Sequence, residues 1–368
     1  MKKILGSLVL LFSTITISAQ TLSNRKVQLV ILFDTSNSMD GLIDQAKSKI
    51  WSIVNEVSNL KYQGATPTLE IAMYDYGNSG INSKYWIRQQ LNFSKDLDLV
   101  SEKLFGLRTN GGEEYCGAVI KQSIQDLSWS SDKGDLKLIY IAGNEPFDQG
   151  PVSYKDVCQE AQNRGILINT IYCGIYEQGV REHWKDGATC SSGAYFNINS
   201  NEKVVFINTP YDEEINIKNN QLNKTYLWYG SQGSVKKEQQ LREDNNSTNQ
   251  GASVAVERSI AKSKANYKNA NYDLVDAVQA DSTIILKMKE EELPDEFKGK
   301  TDEEKKLMLN KKQEEREKIQ REIGELAKKR EEFIKVERAK NKDLSEKDDF
   351  GTAVTKNLKE NATKKGFE

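Results

Sequence analysis

From Val27 to about Ser200 the chain alternates two hydrophobic patterns. Val27 to Phe33 is a continuous apolar run broken only by Gln28, the pattern of a strand covered on both faces. Leu42 to Leu60 follows with Ile43, Ala46, Ile50, Ile53, Val54 and Val57 at three- and four-residue spacing, which predicts an amphipathic helix. The same reading predicts strands at Leu69 to Tyr74, Leu136 to Ala142 and Ile166 to Tyr172, and an edge strand at Lys84 to Leu91. Helices are predicted at Leu97 to Phe105, Tyr115 to Leu127 and Tyr154 to Arg164. Strands alternating with helices form an α/β doubly wound, mostly parallel sheet with helices on both faces.

Beyond Ser200 the alternation fades. Val204 to Ile207 and Lys224 to Tyr229 read as short strands, and Glu243 to Gly251 as a polar linker. Ser253 to Ala280 and Asp302 to Asn341 are helical in tone, and Thr301 to Phe350 holds 15 Lys+Arg against 15 Asp+Glu, a balance suited to ion-paired, solvated helices. Ile319, Ile323, Leu326 and Phe333 form a thin apolar stripe interrupted by Arg330, open to two readings: a seam against other C-terminal helices, or dimerisation. The boundaries expected are a signal peptide over 1–19, an α/β domain over 25–200, a connecting segment over 201–252, and a charged, mainly α-helical region over 253–368.

Lys2 and Lys3, the apolar run Ile4 to Ile17 and the small residues Ser18-Ala19 are the parts of a secretory signal, so export to a periplasm or beyond the cell is expected. The run is short for a membrane span, and no later stretch is longer. The charge is near neutral, 52 basic against 54 acidic residues, which withholds the field that nucleic-acid binding needs. Cys116, Cys158, Cys173 and Cys190 allow three disulfide connectivities in an oxidising compartment; four buried thiols are the competing reading. No CxxC pair occurs, and the single His183, next to Trp184, is expected to pack in a loop.

Asp34-Thr35-Ser36-Asn37-Ser38 carries the chemistry. It falls at the carboxyl end of the first strand, where open α/β sheets bind ligands. A carboxylate and two hydroxyls at alternate positions supply the oxygen donors that a small hard cation takes; helix capping is the other use of such a string. Together with Gly111-Gly112 and the loop Gly143-Asn144-Glu145-Pro146, this segment resembles the von Willebrand factor type A (vWA) domain. That resemblance covers about Arg25 to Ser200. It implies a metal-ion-dependent adhesion site in which Asp34, Ser36 and Ser38 hold Mg²⁺, or Mn²⁺ or Ca²⁺, and a protein partner presents an acidic side chain.

Two positions depart from the family's pattern: Glu113 stands where Thr is common, and Asn144 where Asp is. The expected metal ligands are therefore Asp34, Ser36, Ser38, Glu113 and Asn144, with Glu114 able to replace the missing charge. Asp75, Thr109, Glu114 and Glu145 are expected to support those ligands or to face the partner. Thr209 to Asp212, Leu222 to Gly230 and Tyr272 to Ala277 resemble the C-terminal part of exported bacterial vWA proteins, and their own residues read as packing. With no Ser/His/Asp set and no Cys/His pair, a non-enzymatic binding or adhesion protein is the leading expectation, and a metal-independent scaffold with a degenerate site is the alternative.

Overall fold

The computed structural model describes residues 25–198, 207–340 and 350–368. The expected signal peptide, and residues 204–206 of the expected strand Val204 to Ile207, lie outside them. Six strands form one sheet: β1 (Lys26–Asp34), β2 (Thr68–Tyr76), β3 (Ile87–Ser94), β4 (Leu136–Gly143), β5 (Ile166–Cys173) and β6 (Tyr195–Ile198). Their order is β3-β2-β1-β4-β5-β6, with all pairs parallel except β2 with the edge strand β3. The alternation of side chains across the sheet divides the strands between two apolar cores. Leu29, Ile31 and Phe33 of β1 face one, and Val30 and Leu32 face the other.

Helices α1 (Ile43–Val57) and α2 (Leu97–Gly106) cover the first face; α3 (Cys116–Asp126), α4 (Tyr154–Asn163), α5 (Tyr176–Arg181) and α6 (Trp184–Thr189) are on the second. Because β1 continues toward β2 and β4 toward β5, the connections diverge between β1 and β4. That divergence is the topological switch point at which open sheets form ligand crevices.

The C-terminal helices are α7 (Asp212–Asn223), α8 (Gly233–Gln250), α9 (Ala252–Lys262), α10 (Leu274–Ala280), α11 (Ile284–Lys287), α12 (Asp302–Lys340) and α13 (Phe350–Thr363). Of these, α9 and α13 meet α1 and α8 meets α2 on the first face, while α10 and α11 share a third apolar cluster with Phe297 and Leu309 of the segment leading into and starting α12. Ile215, Val256, Ile260, Ile323 and Val354 join the same core as β1 and α1. The α12 stripe is thus an intramolecular seam. Ile319, Ile323 and Leu326 are buried against the neighbouring helices, and Arg330, which interrupts the stripe, pairs with Asp212 (2.9 Å) and Glu257 (3.1 Å).

Several expectations are corrected. Glu243 to Gln250 belongs to α8 and is not a linker. Its inner face is polar yet buried: Glu243 accepts from Ser101, and Asp244 from Arg258 and Lys262, so the helix leaves no apolar stripe to read. Lys224 to Tyr229 forms no strand; Trp228 makes one isolated bridge to Asp273. Ser253 to Ala280 is two helices separated by a turn. Trp184 is fully buried and starts α6, preceded by His183 in the left-handed region at φ 66°. Of the cysteines, Cys158 and Cys190 form a disulfide, while Cys116 and Cys173 are buried thiols, so the observed state lies between the two expected ones.

Candidate functional site

Asp34 is the last residue of β1 and is fully buried. Gly143, the last residue of the adjacent β4, lies against it. A Cβ at Gly143 would sit 3.1 Å from Asp34 Oδ2 and 2.6 Å from the Tyr76 hydroxyl, so the site needs glycine there. Gly77 is constrained in the same way, at φ 76°, with Glu114 Cγ and Asp34 Oδ1 within 3.0 Å of where its Cβ would be. Backbone bonds fix the first loop between its neighbours: Thr35 N donates to Tyr76 O (2.9 Å), and Asn110 N donates to Thr35 O (2.9 Å).

The donors converge as a chain. Ser36 N donates to Asp34 Oδ1 at 2.8 Å, the Ser36 and Ser38 hydroxyl oxygens are 2.7 Å apart, and the Ser38 hydroxyl donates to Asn144 Oδ1 at 2.8 Å. Asn144 Nδ2 returns a bond to Ser38 O at 3.1 Å. These are ordinary hydrogen-bond distances, and they gather three oxygen atoms of the kind a small hard cation takes into one cluster. Asp34 Oδ2 has no hydrogen-bond partner although it is buried. A carboxylate oxygen in that position calls for a proton or a cation.

The electrostatics point the same way. Burial first, and then the charges of Glu114 and Glu145, push the Asp34 carboxyl up to about 7. Glu114, buried and hydrogen-bonded to Ser36, is raised by burial and then by Glu145. Glu145 is raised by burial and then by Glu182. Each carboxylate is destabilised by its surroundings, and bound positive charge would relieve all three.

The expected residues are thus sorted by the structure. Asp34, Ser36, Ser38 and Asn144 come together. Glu113 does not join them: it is exposed and accepts from the Tyr115 hydroxyl, while Glu114, one residue on, is buried against Ser36. Thr109 donates to Asp40. Asp75 is fully buried and does not face a partner. Arg88 grips it through Nε at 3.1 Å and Nη2 at 2.6 Å, Gln90 donates at 3.0 Å, and the Thr35 hydroxyl reaches it at 3.4 Å, so Asp75 supports the loop from beneath. Among the described residues, no three His, Cys, Asp or Glu side chains converge as a metal cluster; the candidate shell relies on hydroxyl and amide oxygens. The sequence reading missed Lys47, buried on α1, whose Nζ donates to Leu107 O at 2.9 Å and ties down the start of the second loop. A lysine on the inner face of an amphipathic helix was the available signal.

Over Lys26–Ile198 the fold is vWA-like: the sheet is doubly wound with one antiparallel edge strand, and the Asp-x-Ser-x-Ser loop sits at its switch point. No protein-family model matches the chain, and no curated protein matches it. Solved structures similar to it include conserved hypothetical protein BatB from Bacteroides thetaiotaomicron, with 15% identity, TM-score 0.37, and 47% of this chain and 90% of that one covered. Another is the SpRpn10 VWA domain, with 14% identity, TM-score 0.37, and 48% and 90% covered. A third is proximal thread matrix protein 1 from the mussel byssus, described with a zinc-occupied MIDAS motif, with 10% identity, TM-score 0.36, and 49% and 43% covered. These likenesses concern the fold of about half the chain. Among the described residues, no helix is long and apolar enough to cross a membrane.

Proposed function

We propose that this chain is a non-enzymatic, exported protein-binding or adhesion module whose partner face is the carboxyl edge of the sheet around Asp34. The observation that carries this reading is the buried Asp34 carboxylate, with Oδ2 unpartnered, at the start of a loop that brings two hydroxyls and an amide oxygen together. Asp34, Ser36 and Ser38 would hold a Mg²⁺-type ion, with Asn144 and Glu114 completing the donor set. The ion would supply a fixed positive charge able to recognise an acidic side chain on a protein partner. This chain's own residues exclude water from Asp34, orient the two hydroxyls through the Ser36–Ser38–Asn144 chain, and shape the surrounding loops that select the partner.

A second reading has its own observation. The Ser38 hydroxyl is already satisfied by Asn144, and Glu114 bonds to Ser36, so the donors can satisfy one another without an ion. In that case the fold is a metal-independent scaffold. The thermal midpoint of chelator-treated protein, titrated with Mg²⁺ and Mn²⁺ beside Asp34→Ala, separates the two. A saturable rise in the wild type alone supports the cation site, and no rise in either protein leaves the scaffold.

A further inference from the structure

Beside the first loop, the end of α2 and the edge strand β3 border a cleft of about 510 Å³. Three cationic side chains line it: Arg88, Lys103 and Arg108. Arg88 is answered by the buried Asp75, and the lining carboxylate of Glu102 is held by Arg242 Nη2 and Gln239 Nε2, each at 2.8 Å. Lys103 and Arg108 have no carboxylate partner among the described residues. Arg108 Nη1 donates to Phe105 O at 2.9 Å and to Leu107 O at 2.8 Å, and Lys47 Nζ donates to the same Leu107 oxygen at 2.9 Å. Two cations thus share one carbonyl at the end of α2. Burial lowers the Lys47 pKa; Asp44, exposed and 3.5 Å away, opposes this, and the charge of Arg108 adds to it. Capping the α2 carbonyls accounts for Arg108 Nη1, but leaves the other guanidinium nitrogens and the whole of the Lys103 ammonium without a protein partner. The cleft is tied to the candidate site by the buried Asn78, whose Nδ2 donates to Arg108 O at 3.0 Å and to Thr35 O, next to Asp34, at 3.4 Å.

We infer that this cleft docks an acidic peptide segment of the protein partner, with its carboxylates on Lys103 and Arg108. The inference rests on the reading that the partner face is this edge of the sheet, and adds acidic side chains beyond the one at the ion. A segment with about two or three carboxylates matches the unanswered charge of Lys103 and Arg108. A nucleic-acid backbone, charged at every residue, finds no matching field on a chain of 52 basic and 54 acidic residues. The side-chain amides of the exposed Asn110 and the half-buried Gln90 also line the cleft and offer donors and acceptors to a peptide backbone.

The test is fluorescence anisotropy of labelled hexaglutamate on the full chain, in chelator and about 20 mM NaCl, with labelled hexalysine and a short labelled oligothymidylate as comparisons. Hexaglutamate is expected to saturate with a Kd of about 0.1 mM, and Lys103→Glu to weaken it about tenfold. Lys185→Glu, at an exposed position of α6 on the other face of the sheet, makes the same change in net charge and is expected to shift the Kd by less than about twofold. The Lys103 side chain makes no bond among the described residues, so circular dichroism of its variant should match the wild type. Absence of saturation by hexaglutamate overturns the inference. Equal weakening by the two lysine variants overturns it as well, as does binding of hexalysine or oligothymidylate as tight as that of hexaglutamate. Chelator separates this result from the Mg²⁺ titration of the thermal midpoint. A midpoint that responds to Mg²⁺ beside a cleft that takes no peptide overturns this inference alone; peptide binding without a Mg²⁺ response supports the cleft and overturns the ion.

Discussion

Replacing Asp34 by Asn in chelated protein is expected to stabilise it at pH 8. The buried carboxyl is raised from 3.8 to about 7, chiefly by burial. Below pH 3.8 the group is protonated in both the folded and unfolded chains, and its contribution is neutral. Between 3.8 and about 7 the folded chain keeps a proton that the unfolded chain releases, so relative stability falls as pH rises toward the folded value. At 1.36 kcal/mol per pH unit, the loss amounts to about 4 kcal/mol by pH 8. Relaxation of the loop around the ionised carboxylate is expected to offset part of this, so about 2–4 kcal/mol is the expected range. Asn keeps an oxygen for Ser36 N and carries no charge, so it should recover most of this and flatten the pH profile. At about 2–4 °C per kcal/mol, the midpoint at pH 8 should rise by about 4–16 °C. The assay is thermal unfolding by circular dichroism from pH 4 to 8.5 in chelator for both proteins. Equal midpoints at pH 8, with parallel profiles, would refute the reasoning by showing that the buried charge costs nothing there. With saturating Mg²⁺, the cation-site reading predicts the opposite order, wild type above Asp34→Asn.

Two other predictions concern the scaffold. Removing the Cys158–Cys190 bridge as a double Ser variant opens a loop of 32 residues, for which chain entropy alone gives a loss of about 3–4 kcal/mol; urea unfolding of oxidised protein against the variant measures it. Arg316→Ala on α12 would leave Asp273, which Arg316 reaches at 2.6 Å, buried without an ion-pair partner and Asp276, reached at 3.1 Å, with only Lys268 at 3.6 Å, and would remove the guanidinium lying 4.1 Å from the Tyr226 ring centroid. A loss of about 3–5 kcal/mol is expected by the same assay, and a loss under about 1 kcal/mol would show that this network does not hold α12 in place.

By itself the sequence determined the elements whose burial is apolar and periodic. β1, β2, β4 and β5 read as continuous hydrophobic runs because both faces of the sheet are covered, and α1 as a helix because only one of its faces is. It also placed the core of the candidate site, since Asp34, Ser36 and Ser38 are local to one loop and need only β1 to deliver them. Tertiary structure decided what depends on partners distant in the chain. The inner face of α8 is held by a hydrogen bond from α2 and ion pairs with α9, so its polar sequence read as a linker. Lys224 to Tyr229 looked strand-like, yet polar groups within it are taken by Asp273 and Arg316, 46 and 91 residues away in two of these bonds. The choice of Glu114 over Glu113 turned on one step of backbone direction before α3, where close approach of Gly112 to the Gly77 carbonyl fixes the loop and only one of two consecutive side chains can point inward. Periodicity reports apolar burial; pairing between polar groups leaves no periodic trace, and only the folded chain shows which groups meet.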